Sequence, residues 1–278
     1  MKRAAKYAAA AAIILAGSAW PGAALAQAQQ TLPAQQAAPP VEQADRERTP
    51  REAEEMRADL LMVRKRYSEA LAAYEAILKK EPKNAPLLNK VGMAYHHLTK
   101  LNDAKKYYDR AIKADKTFAP AHNNLGTVHY NRKKYGSAIK AYKKALELRN
   151  DIASVHSNLG IAYFAQKKYD EAFLCFHRAL SIDPGVFELR GGAGGELLQD
   201  RTVEDRRLFF FFLAKAFASQ NNAERTAFYL RKAFDEGYSL AAVPKDPAFV
   251  SVVGDVQVQD VLRAAGIVPP VTPPPKSE

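Results

Sequence analysis

The chain reads LNKVGMAYHHLTKLNDAKKYYDRAI over residues 88–112, HNNLGTVHYNRKKYGSAIKAYKKAL over 122–146 and HSNLGIAYFAQKKYDEAFLCFHRAL over 156–180. Set beneath one another, the three stretches agree at a step of 34 residues. Gly92, Gly126 and Gly160 form one column and Ala104, Ala138 and Ala172 a second. Tyr108, Tyr142 and Phe176 form a third, and Ala111, Ala145 and Ala179 a fourth. Self-similarity at this period marks a stack of helix–turn–helix units, none of which can bury its apolar face alone. Such a stack presents long faces rather than a deep pocket, so function is expected on a surface.

Numbered from 1 to 34, the units begin at Arg51, Ala85, Ala119 and Ala153 and run 51–84, 85–118, 119–152 and 153–186. Glycine or alanine at positions 8, 20 and 27 lets neighbouring helices approach, and aromatics at 11, 17 and 24 fill the space between them. Pro82 and Pro184, at position 32, follow a second helix and stop it. The first unit matches in its second half, at Tyr67, Ala70, Tyr74 and Pro82. It carries Ala58 where the others carry glycine, as a terminal capping unit does. A degenerate fifth unit starting at Arg207 puts Phe210, Leu213-Ala214, Phe217, Leu230 and Ala233 at positions 4, 7–8, 11, 24 and 27.

This pattern resembles the tetratricopeptide repeat family, which favours a large residue at position 4, Leu-Gly at 7 and 8, Tyr at 11 and 17, Ala at 20 and 27, an aromatic at 24 and Pro at 32. The resemblance covers roughly residues 51–240 and is tightest over 85–186. It departs at position 4, where Leu88, His122 and His156 stand; the one tryptophan, Trp20, lies outside the array. The resemblance implies an all-α, right-handed superhelical solenoid of four to five helix–turn–helix units. Lys245-Asp246-Pro247-Ala248-Phe249 and residues 255–262 resemble the short helices that close the last groove in some members. A fifth unit with a small helical C-terminal cap is therefore expected over 204–266, while a strand over 249–253 stays open.

The flanks read differently. Lys2, Arg3 and Lys6, an apolar run from Ala8 to Leu15 and the small–x–small site Ala24-Leu25-Ala26 make 1–26 a secretory signal peptide. An uncleaved anchor is the alternative, although the run is short of the about 20 apolar residues of a spanning helix. No cysteine follows the site to take a lipid. Export is expected, to the periplasm or beyond. Residues 27–50, rich in Gln, Ala and Pro, read as a disordered linker, and 267–278 as a proline-rich tail. Residues 187–203, containing Gly191-Gly192-Ala193-Gly194-Gly195, read as a flexible loop insertion, because no Lys-Ser/Thr follows to make a phosphate cradle. Cys175 is the single cysteine, so no internal disulfide is available. It reads as a small buried apolar residue, a reactive thiol being the alternative.

No catalytic constellation is present: there is no Gly-x-Ser-x-Gly, His-Glu-x-x-His, Walker-type loop or Cys-x-x-Cys. The chain is read as non-catalytic, with no cofactor, metal or small-molecule substrate. His122 and His129 share a helix face, but they hold packing positions 4 and 11. His156 is again at 4, so packing rather than metal ligation is expected.

The resemblance implies that first helices line a concave groove through positions 2, 5, 6, 9, 12 and 13. These give Asn89, Lys90, Met93, His96 and His97 in the second unit, and Asn123, Asn124, Thr127, Tyr130 and Asn131 in the third. The fourth unit gives Ser157, Asn158, Ile161 and Phe164. Asn124 and Asn158 both hold position 6, with Lys90 where a third rung would stand. An asparagine offers donor and acceptor together, which suits the backbone of an extended peptide; hydrogen bonding within the array is the alternative. The two-carboxylate clamp of chaperone-binding members needs cations at positions 2 and 6, which Pro120/Asn124 and Ser154/Asn158 do not supply. Phe211 and Phe212, at 5 and 6 of the fifth unit, are either an apolar anchor for a partner or covered by the 187–203 loop.

The net charge is +11, and residues 84–150 concentrate it, with fourteen Lys/Arg against four Asp/Glu. Lys106, Arg110, Lys113, Lys140, Lys143 and Lys144 belong to second helices, on the convex side. A solvated face accounts for such a run; attraction to an anionic envelope polymer or membrane surface is the functional alternative. Export disfavours nucleic acid. The function expected is a protein–protein interaction scaffold of the cell envelope, monomeric or weakly dimeric, holding a protein or peptide in its groove.

Overall fold

The computed structural model describes residues 49–187 and 202–267, and the structural statements here concern those residues. The readings given above for 1–26, for most of 27–50 and 187–203, and for all of 267–278 except Ile267 fall outside them. The described residues form eleven α-helices and no strand. They are α1 (Pro50–Val63), α2 (Tyr67–Lys80), α3 (Ala85–His97), α4 (Leu101–Ala114), α5 (Ala119–Asn131), α6 (Tyr135–Leu148), α7 (Ala153–Ala165), α8 (Tyr169–Ile182), α9 (Val203–Ala218), α10 (Ala223–Asp235) and α11 (Val256–Ala264). The first ten pack as five successive pairs, each against the next, which makes a superhelical solenoid. First helices also touch one another, α3 with α5 and α5 with α7. They therefore form the inner layer and the second helices the outer one.

The glycine column sets how closely a pair closes. A Cβ added at Gly92 would lie 2.5 Å from the Tyr108 ring, at Gly126 2.6 Å from Tyr142, and at Gly160 2.5 Å from Phe176. Each ring lies against helix backbone where no side chain fits. The alanines at positions 20 and 27 are fully buried beside it.

Every pair turns on the same joint. Lys65, Thr99, Lys133, Lys167 and Asn221 have φ between 57° and 60°, and all five stand at position 15. Thr99 N–H donates to the His96 carbonyl at 2.9 Å and Lys100 N–H to Tyr95 at 2.9 Å; Asn221 and Asn222 repeat this with Ala218 and Phe217 at 2.9 and 3.1 Å. This double closure caps a helix with one left-handed residue. Asn221 falls into the column only if the fifth unit starts at Arg207, so the backbone itself carries the register of the degenerate unit.

The two ends are finished differently. Positions 3, 7 and 10, which the second unit buries as Leu87, Val91 and Ala94, are the exposed Ala53, Arg57 and Leu60 in the first. The charge of Arg57 where others carry Val or Leu suits a face on which none of the described residues stacks. At the other end Val243, Phe249, Val258, Val261 and Leu262 are buried by two short 3-10 turns (Val243–Lys245 and Pro247–Phe249) and by α11. The strand left open over 249–253 is not formed: Val252 and Val253 N–H both donate to the Phe249 carbonyl, at 3.0 and 2.7 Å, as in helical turns. Edge-to-face aromatics, Phe164–Phe209 at 5.5 Å and Phe176–Phe209 at 5.6 Å, join the fourth and fifth pairs.

Candidate concave interaction face

A ladder of side chains runs along the first helices, linking position 6 of each unit to position 5 of the unit before. Lys90 Nζ donates to Glu55 Oε1 at 2.7 Å, Asn124 Nδ2 to Asn89 Oδ1 at 2.9 Å, and Asn158 Nδ2 to Asn123 Oδ1 at 3.1 Å. Lys90 also reaches both Asp59 oxygens, at 2.8 and 2.7 Å. Burial alone would lower the Lys90 ammonium, but the bonds to Asp59 and Glu55 outweigh it and hold the group above its ordinary value. Lys90 is thus a rung in its own right, of charged chemistry, rather than a gap. The ladder stops at the fifth unit, where Phe212 takes position 6 and cannot donate. The position-5 residue below it, Ser157, is 1% exposed and its Oγ has no hydrogen-bond partner.

Each asparagine rung keeps capacity beyond its inter-unit bond, since an amide has two N–H donors and two acceptor lone pairs. Asn124 and Asn158 are half-buried, so these remaining groups border the groove. Beside them Asn131 Nδ2 meets His96 Nε2 at 2.9 Å, again from one unit to the one before, and His97 stacks on Tyr67 at 4.6 Å. Met93, His97 and Asn131 are exposed, and Asn123 and Thr127 half-buried. Together these make a continuous polar strip along the second to fourth units.

Six expected groove residues are not available to a partner: Ser157 is 1% exposed, Ile161 and Phe164 2%, Asn89 and Phe211 6%, and Tyr130 9%. In the first and third units positions 9 and 24 are also coupled, whereas the second carries Met93 and Tyr108 there. Tyr74 donates its hydroxyl to Asp59 at 2.6 Å and Tyr142 to Thr127 at 3.2 Å. The fourth unit has Phe176 at position 24, which carries no hydroxyl, and its position 9 is the apolar, buried Ile161. Phe211 is covered by the C-terminal cap, stacking on Tyr238 at 4.5 Å with Phe249 at 5.8 Å, and not left as an anchor. Phe212 is half-buried and stacks on Tyr169 at 5.2 Å.

The other singled-out residues find structural partners. His122 and His156 place Nε2 3.2 and 3.0 Å from the Lys116 and Asn150 carbonyls, fastening the turn that precedes each unit. Burial, then the nearby Lys105 and Arg132, hold His129 below its ordinary value, and its Nδ1 is buried without a partner. Burial pushes the Cys175 thiol up to about 11, which leaves little thiolate for reaction. Among the described residues no three His, Cys, Asp or Glu side chains converge on one point. Lys106, Lys113, Lys140, Lys143 and Lys144 are exposed on the outer layer, and Arg110 is half-buried over the Tyr107 ring at 4.8 Å. Sequence reasoning missed Glu55 and Asp59, although a 35-residue spacing between complementary side chains was there to be found.

Two tetratricopeptide repeat family models match the chain, one over residues 55–117 and one over 117–185. No curated protein matches it. Among solved structures, PilF of Pseudomonas aeruginosa is similar with a TM-score of 0.51 and 16% identity, over 78% of this chain and 88% of that one. MamA of Desulfovibrio magneticus RS-1, from residue 41 of that protein to its end, gives 0.46 and 16%, over 67% and 94%. YrrB, described as a TPR protein with an unusual peptide-binding site, gives 0.42 and 22%, over 65% and 82%. The PilF likeness supports the solenoid fold and says nothing of what this chain binds.

Proposed function

Residues 55–185 belong to the tetratricopeptide repeat family, and on that premise we propose that the chain is a non-catalytic scaffold holding an extended segment of a partner protein along its inner face. The observation that carries this reading is the polar strip: amide groups recur from unit to unit, tied by the inter-unit ladder and, at Asn131, to the His96 imidazole. A peptide backbone also repeats its donors and acceptors, so a rigid row of Asn side chains can pair with it whatever its sequence. Pre-organisation reduces the ordering cost of binding. The signal-like 1–26 segment and the linker after it support placing this scaffold in the cell envelope, exported to the periplasm.

The test is site-specific photocrosslinking in cells from His97 and Asn131, which are exposed on the strip, with Lys140 on the outer layer as comparison. The expected result is one protein captured from both strip positions, and its loss when Asn124→Ala and Asn158→Ala are combined. Capture from Lys140 alone, or capture that survives the double substitution in a protein that melts normally, would remove the proposal.

A further inference from the structure

On the outer layer the same register exposes two columns that the sequence alone did not align. Position 26 of the second to fifth units is Arg110, Lys144, Arg178 and Lys232, a cation every time. Position 22, one helical turn earlier on the same face, is Lys106, Lys140, Leu174 and Phe228. All but the half-buried Arg110 are exposed. The shift from lysine to large apolar residues is not a shift into a core: Leu174 is 64% exposed and Phe228 44%. Lys232 reaches over the Phe228 ring at 4.7 Å and over Phe210 at 5.3 Å, so the apolar and cationic groups are interleaved there.

We propose that this outer face docks on a bilayer rich in anionic phospholipid, its cation column lying over the headgroups while Leu174 and Phe228 enter the interface. The proposal is independent of the groove reading, since it uses the opposite helices. Charge alone would suit any polyanion. Two large apolar side chains held out in water, at the same position of consecutive units and flanked by cations, suit a surface with a polar skin and an apolar interior. A soluble polyanion offers nothing for them to enter. In the adjoining units position 22 supplies Lys106 and Lys140, so one face has a purely electrostatic half and an amphipathic half. Among the described residues Glu147 pairs with the position-26 column, at 3.0 Å from Lys144, in an exposed pair that an anionic surface can replace.

The experiment places an environment-sensitive fluorophore on the face itself, in the full chain: Leu174→Cys in a Cys175→Ala background, and separately Phe228→Cys. Asn131→Cys, on the inner strip, is the comparison. Vesicles of phosphatidylcholine alone and of equimolar phosphatidylcholine and phosphatidylglycerol are added, and an inorganic polyphosphate serves as the soluble polyanion. The expected result is a blue-shifted, brighter label at 174 and 228 with the anionic vesicles only, and an unchanged label at 131. Reversing Lys140, Lys144, Arg178 and Lys232 to Glu should weaken that partition at least about tenfold, because each cation near an anionic surface contributes appreciably. A label at 174 that stays in water, a label at 131 that enters the bilayer instead, or partition indifferent to the four reversals would each overturn the proposal. So would polyphosphate binding that competes fully while the labels never blue-shift, which would make the face a polyelectrolyte site. Circular dichroism of each variant verifies folding, and the substituted groups are all exposed except Cys175.

Discussion

The glycine column constrains the array by the absence of one carbon. At Gly126 a Cβ would stand 2.6 Å from the Tyr142 ring, and that ring is itself buried with its hydroxyl tied to Thr127. Gly126→Ala must therefore push helix from helix, a form of overpacking that costs about 1–3 kcal/mol. Thermal or urea unfolding reads it, and adding Tyr142→Leu should restore part of the loss by making room; a lone Gly126→Ala as stable as the parent would mean the ring moves freely. His129 gives a pH effect of definite sign. Its pKa is held below the ordinary 6.5 by burial and by Lys105, Arg132 and Lys134, with Asp109 opposing. The unfolded chain thus binds the proton more readily, and stability present above pH 6.5 is lost as pH falls from there toward the folded value. His129→Gln should flatten the melting temperature over that acidic range. The glycine column was legible in the sequence because the requirement for no side chain is absolute. The link between positions 9 and 24 was not, because Asp59, Thr127 and Ile161 look unrelated until the Tyr or Phe facing them is known.

At the level of helices and turns, the joint at position 15 shows where side-chain reading fails. Lys65, Lys133 and Lys167 share a side chain that Thr99 and Asn221 lack, and what all five share is a left-handed backbone. Sequence alignment sees side chains, so the left-handed conformation of this column was not legible, because lysine carries no preference for it. It also predicts an improvement. A Cβ in the left-handed region costs about 1–2 kcal/mol, while glycine's extra freedom in the unfolded chain costs about 0.5–1 kcal/mol, so Lys133→Gly should stabilise by up to about 1 kcal/mol. Denaturant unfolding measures this, and the same substitution at Lys140, in mid-helix, should instead destabilise by about 1 kcal/mol. The ladder was half legible. Asn124 and Asn158 stood out by register, but their first duty, bonding Asn89 and Asn123, was one of two readings the sequence left open. Asn124 Oδ1 also accepts from Asn123 Nδ2 at 3.2 Å, yet an amide has two N–H donors and two lone pairs, so the two readings are compatible rather than exclusive. The burial of Phe211 under the C-terminal cap was not legible, because it depends on where residues 238–249 return in space.

For the whole molecule, stability in a stack of units is a sum of each unit and its interface with the next, so damage should stay near its source. The two ends differ in how they meet this. The first pair presents exposed Ala53, Arg57 and Leu60 and is held to the second by an apolar cluster of Tyr74, Ile77 and Leu78 with Leu87, Leu88 and Val91, and by the ladder bonds of Lys90 to Glu55 and Asp59. The last pair is held by aromatics on one side and by α11 on the other, where Val258, Val261 and Leu262 are fully buried. Val261→Asp places an unpaired charge in that seam, a change that costs several kcal/mol unless the local structure opens. Opening is the expected outcome, and it should be confined. Hydrogen exchange should show α9, α10 and α11 losing protection while α3 to α6 keep theirs, and the melt should split into a weaker early step and an unchanged later one. Lys90→Met, at the other end, removes the cation and leaves Glu55 to Arg51 and Asp59 to the Tyr74 hydroxyl. It should loosen α1 and α2 and leave α9 to α11 protected. If either substitution lowers protection evenly from α1 to α11, the array folds as one cooperative block, and the inner strip is held by its ends as much as by its own ladder.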